Sequence, residues 1–206
     1  MNSELQYQAD FRRMVATNEE IKRIVCVSNA VNMAALNAMF IAKKAGQSAL
    51  GFGVVSADLR VFSKQLDVAM TGLTGQISAL LGEVFGHARQ WKTCRAHLAA
   101  SRGGDHSGRY LAALLGALER AMEQKKREIQ ARQEQLIAGL ARARKLCGMG
   151  VAISRAAKIE AVYGNALAGE LKQVSEEVEQ SITDILATLK ALERQLAASV
   201  NLEQTK

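Results

Sequence analysis

The chain contains no proline in 206 residues. Proline removes an intrahelical hydrogen bond and clashes with the preceding turn, so it is the usual breaker of helix interiors. Its absence lets helices run for many turns. The rest of the composition agrees, because Ala, Leu, Glu, Gln, Lys and Arg favour helix and aromatics make up only 4% of the chain. The expected class is all-α with long helices.

Apolar spacing sets the architecture. Phe52, Val55, Leu59, Phe62, Leu66, Ala69, Leu73, Ile77, Leu80, Val84, Trp91 and Cys94 follow an alternation of three and four, interrupted only at His87. This is a coiled-coil-like stripe sustained over several heptads. A second stripe runs through Leu111, Leu115, Leu118, Met122, Ile129, Leu136, Leu140 and Cys147. A third runs through Leu171, Val174, Val178, Ile182, Ile185, Leu189, Leu192 and Leu196. The first helix is less regular, with Phe11, Met14, Ile21, Val25 and Val31.

The strongest loop signal is Ser101–Gly108, "SRGGDHSG", near the middle of the chain. Weaker breaks fall at Gly46–Gly53 and Gly164–Gly169, with "CGMG" at 147–150 as a third candidate. A shift of 119 residues lays 40–59 over 159–178 without a gap, so that Ala42 meets Ala161, Phe52 meets Leu171 and Ser56 meets Ser175. Two tandem helical hairpins are therefore expected, 1–103 and 104–206. Together they form one long antiparallel four-helix coiled-coil bundle with both bends at the same end. Helices of about 50 residues make a rod about 75 Å long. Closure within one chain and pairing between two chains both fit this pattern.

The formal charge is +7 and the sequence pI about 9.5. Much of the excess lies in Glu119–Lys145, where eight basic residues interleave with four acidic ones, as on a solvated helix face. No uninterrupted apolar run approaches the 18–20 residues that span a bilayer, and the N-terminus lacks a secretory pattern. Cys26, Cys94 and Cys147 are widely spaced and odd in number, which suits reduced thiols acting as small core residues. The expected location is cytoplasmic, without membrane insertion.

Catalytic chemistry finds no footing. "GQSALGFG" follows a helix rather than a strand and lacks the lysine–threonine ending of a phosphate loop. His87, His97 and His106 have no His or Cys neighbours at metal-ligand spacing. Ser28 and Ser56 lack a nearby activating histidine. Glu19-Glu20 and Glu176-Glu177 are helix neighbours pointing about 100° apart, which makes poor carboxylate dyads. No enzymatic activity, metal or cofactor is expected.

Residues 31–63, "VNMAALNAMFIAKKAGQSALGFGVVSADLRVFS", carry a likeness to a known family. Through Asn32, Ala35, Leu36, Asn37, Ala38, Ala42, Ala45, Gly46, Gly51, Phe52, Val54, Val55 and Arg60 the segment resembles the membrane-distal hairpin tip of bacterial chemoreceptors, the methyl-accepting chemotaxis proteins. The likeness covers residues 21–65. Ile159, Glu160, Ala161, Val174, Glu176, Glu177 and Val178 resemble the same tip more weakly. The family usually places glutamate at the positions of Ile41 and Gln47, and arginine at those of Lys44 and Tyr163. This chain therefore resembles a diverged tip without the family's sensor domain, membrane anchor or methylated region.

The resemblance implies a protein-binding tip of Asn32, Met33, Leu36, Asn37, Phe40, Ile41, Lys44, Gln47, Phe52 and Val55. It implies a second tip of Glu160, Tyr163 and Leu171. Leu36, Phe52 and Val55 suit the bundle core, whereas Ile41 and Lys44 suit contact with a partner. The implied role is a non-enzymatic signalling or adaptor protein. The implied partners are a chemotaxis coupling protein, a histidine kinase or chemoreceptor tips. Two other readings stay open: a basic helical nucleic-acid-binding protein, and a structural coiled coil that self-associates as a homo-oligomer.

Overall fold

A computed structural model describes residues 2–101 and 108–204. Four helices follow one another: α1 (Asn2–Ala45), α2 (Leu50–Ser101), α3 (Gly108–Ala161) and α4 (Ala168–Gln204). Short 3₁₀ turns at Gly46–Ala49 and Asn165–Leu167 join α1 to α2 and α3 to α4. Both expected bends are therefore present. The central loop falls on 102–107, outside the described residues. Among the described residues there is no strand.

The helices close into a ring within one chain. α1 packs on α2 and α4, and α3 packs on α2 and α4. Of the two arrangements the sequence allows, the structure describes closure within one chain. The "CGMG" stretch does not bend; it lies inside α3. Gly150 there faces the core, where a Cβ would come within 2.8 Å of three ring atoms of Phe62. Gly148, two residues away, faces open space.

The heptad seams form the core. Leu59, Leu66, Leu73, Ile77 and Leu80 of α2 are buried with Leu136 and Leu140 of α3 and Val178, Ile182, Ile185 and Leu189 of α4. The buried band is wider than the stripes, because each helix touches two neighbours and so needs about three inward positions per heptad. Met70, Ser56 and Ser63 are fully buried beside the seam of α2, while Val55 and Ala69 are only half-buried. The expected correspondence between halves extends to burial: Ala42 and Ala161, Phe52 and Leu171, Ser56 and Ser175, and Leu59 and Val178 are all buried pairs.

Of the cysteines, Cys147 is a core residue, and burial pushes its thiol up to about 12. Cys26 is not: it is exposed on α1, because the seam there passes through Ile24, Ser28 and Val31 instead. The side chain of Cys94 lies outside those described. Segments within Arg12–Ala45 and Leu50–Gly86 are long and apolar enough, averaged over their length, to cross a bilayer. Both belong to bundle helices and carry core residues.

Candidate functional site

The two bends meet at one end of the rod. The α1–α2 turn opens at Gly46, whose φ of +71° is a left-handed conformation that favours glycine. The α3–α4 turn closes α3 with Tyr163 N–H donating to the Glu160 carbonyl and Gly164 N–H to the Ala161 carbonyl, both at 3.1 Å. A left-handed Asn165, φ +50°, then redirects the chain into α4. Asparagine tolerates this region better than most residues. A Cβ on Gly164 would collide with Leu171, so this bend is packed tightly against the core.

Glu160 of the second hairpin meets the first hairpin at Gly51. Its half-buried carboxylate lies against the bare Cα of Gly51, where any Cβ would overlap it. Beneath this contact the core is made of small residues. Ala35, Ala38, Ala42, Ala49, Ser56, Ala157 and Ala161 are buried there, and Phe52 and Leu171 are the large fillers. Small side chains let helix backbones approach closely.

Phe52 and Leu171 are only 1% and 0% exposed, so they shape the tip from within rather than touch a partner. Leu36 and Val55 are half-buried, and Val55 packs against the core. Ile41 also packs partly against the core, so its contact face is smaller than its sequence position suggests. Lys44, Gln47 and Asn37 are exposed, and Asn32 is half-buried with its Oδ1 lacking a hydrogen-bond partner.

The outward-facing large apolar residues near the bends are Met33, Phe40, Leu50 and Val54 from the first hairpin and Ile159, Val162 and Tyr163 from the second. Phe40 is 70% exposed and Val162 72%. Val162 was not among the expected tip residues, and Ile159 entered only through the weaker second likeness. Their signal was available, because both fall outside the register of the α3 seam yet remain apolar.

Charge divides along the second hairpin. Glu179 of α4 receives both Arg155, at 3.1 Å, and Lys158 of α3. These contacts, Lys158 first, hold its carboxyl below the usual carboxylate range. Glu193 likewise accepts from Arg144 at 2.9 Å. Across the α2–α3 junction Glu83 pairs with Arg132 at 2.9 Å. Part of the basic excess of α3 is thus spent on neighbouring helices, and Arg127 and Lys125 also pair with Glu123 and Glu128 along α3 itself. Among the described residues no cluster of three or more His, Cys, Asp or Glu side chains could hold a metal ion.

Comparison with known proteins places nothing beside this chain: no protein-family model, no curated protein and no solved structure matches it.

Proposed function

We propose that the chain is a non-enzymatic adaptor or signalling protein whose double tip docks onto a component of a chemosensory array. That component is a coupling protein, a histidine kinase or receptor tips. The supporting observation is the crowd of exposed apolar side chains at the end where both bends meet, led by Phe40, Leu50, Val162 and Tyr163. Exposed apolar side chains from both hairpins at the same end of a bundle suit a contact site. The likeness of residues 31–63 to a chemoreceptor tip supplies the kind of partner.

On this reading one chain stands in for the two hairpins that a pair of receptor subunits would bring together. Ile41, Lys44 and Tyr163 would alter which neighbours the tip accepts, since each replaces a charge or a bidentate guanidinium.

The test is direct binding of the purified protein to purified coupling protein, kinase and receptor signalling fragments. Phe40→Glu and Tyr163→Glu are the informative variants, because both side chains are exposed and their replacement leaves the core intact. Binding by the intact chain, lost in these variants at unchanged helicity, is the expected outcome. No binding to any of the three components at low salt would sink the proposal.

A further inference from the structure

α2 carries a second heptad seam on the side facing away from the core. Its buried seam passes through Phe52, Leu59, Leu66, Leu73 and Leu80. Opposite it, at alternating steps of four and three, stand Val54, Asp58, Val61, Gln65, Val68, Gly72, Gly75, Ala79, Gly82, Gly86 and Arg89, and every one is exposed.

Neither half of this outer seam suits open solvent. Val54, Val61 and Val68 are 64%, 54% and 72% exposed, one heptad apart. Gly72, Gly75, Gly82 and Gly86 follow in the same register, and a Cβ on any of them would meet nothing within 4 Å. Each glycine inside a helix costs about 0.5–1 kcal/mol relative to alanine. Packing within the bundle gives no reason for that cost, whereas close approach of another backbone does.

The seam is also complementary to itself. Reversed about a point between Gly72 and Gly75, it places Val68 opposite Ala79, Val61 opposite Gly86, Gln65 opposite Gly82 and Asp58 opposite Arg89. Side-chain knobs in one half thus meet glycine and alanine holes in the other. Asp58 and Arg89 make no ion pair within the chain among the described residues, and the reversal brings opposite charges together. A surface that matches its own reversed copy is what a two-fold interface requires.

We propose that this face of α2 binds a second copy of the chain, antiparallel, along the outer seam from Asp58 to Arg89. The two bundles lie side by side with their tips pointing in opposite directions, so the contact is separate from the tip and does not depend on its partner. Knobs-into-holes packing along the seam supplies the affinity, and the Asp58–Arg89 pair sets the register. The glycines hold the axes close at the centre.

Sedimentation of the intact protein over a range of concentrations tests this, with Gly75→Leu, Gly82→Leu and charge-swapped variants alongside. A dimer is expected for the intact chain, and the leucine variants should be monomeric while melting no lower than the intact chain. Asp58→Arg should weaken the dimer at least tenfold, and Asp58→Arg combined with Arg89→Asp should restore it. A monomer at all concentrations overturns the proposal. So does a dimer that survives both leucine substitutions, since the contact would then lie on another face. Failure of the double swap to rescue Asp58→Arg rules out this antiparallel register. Adsorption of the monomer to phosphatidylcholine vesicles through the same stripe, without a dimer, would show that lipid rather than a second copy covers it.

Discussion

The Glu160 carboxylate rests on the bare Cα of Gly51, so the tip of one hairpin is fitted to the tip of the other by the absence of a single methyl group. The overlapping atoms belong to the far end of a flexible side chain, which can swing outward. Gly51→Ala should therefore change stability by no more than about 1 kcal/mol, since the helix gain of about 0.5–1 kcal/mol offsets the lost contact. Chemical denaturation measures this. A loss well above 1 kcal/mol would mean that Glu160 is pinned and that the two tips form one rigid unit.

Gly148 and Gly150 make the opposite pair of expectations within one turn of α3. A Cβ on Gly150 would sit in the Phe62 ring, which is itself buried, so Gly150→Ala should destabilise by about 1–3 kcal/mol. A Cβ on Gly148 meets nothing, and Gly148→Ala should stabilise by about 0.5–1 kcal/mol. Urea midpoints of the two variants, measured side by side, check the sign of each.

Those glycines also show where sequence reasoning stops. Leu59, Leu66, Leu73, Ile182 and Leu189 announce their burial through periodicity alone, because large aliphatic residues at heptad spacing have no other common use. Ser28 and Ser63 do not. They are buried across the α1–α2 junction, with Ser63 Oγ donating to the Ser28 carbonyl at 2.7 Å and Ser28 Oγ to the Ser63 carbonyl at 3.1 Å. A serine in a helix reads as surface until its partner helix is placed. The tip core is made largely of such small residues, so its position was legible from the glycines at the bends. Which tip residues face outward was legible only in part. Phe52 heads the α2 stripe and so reads as core, whereas Phe40 lies on the less regular α1, where only packing shows that its ring is exposed. Nothing in the chain's spacing names a partner.

Glu179 predicts an acid-side dependence of stability. Its carboxyl is held low by Lys158 and Arg155, so the folded state stabilises the ionised form. That contribution is complete above the unfolded value of about 4.3. It fades as pH falls through the lower folded value. The Arg155 side chain is 70% exposed, which limits the worth of the cluster to about 0.5–1 kcal/mol. Glu179→Gln should remove this gain at pH 7 and leave stability near pH 2 almost unchanged. A variant equally destabilised at both pH values would show that the side chain acts through packing instead.

Phe40 and Phe52 lie twelve residues apart on opposite sides of the first bend, and they should respond to truncation in opposite ways. Phe52 is 1% exposed and, with Leu171, fills a tip core made otherwise of alanine and serine. Neighbours that small cannot reach across the gap its ring would leave, so Phe52→Ala should cost about 3–5 kcal/mol. Phe40 is 70% exposed and supports nothing beneath it. Phe40→Ala should stay within about 0.5 kcal/mol of the intact protein, and any loss of partner binding in that variant then reports contact rather than misfolding. Thermal melts of both variants decide the matter. A large loss of stability in Phe40→Ala would mean that its ring is covered in solution, by a partner copy or by the bundle itself.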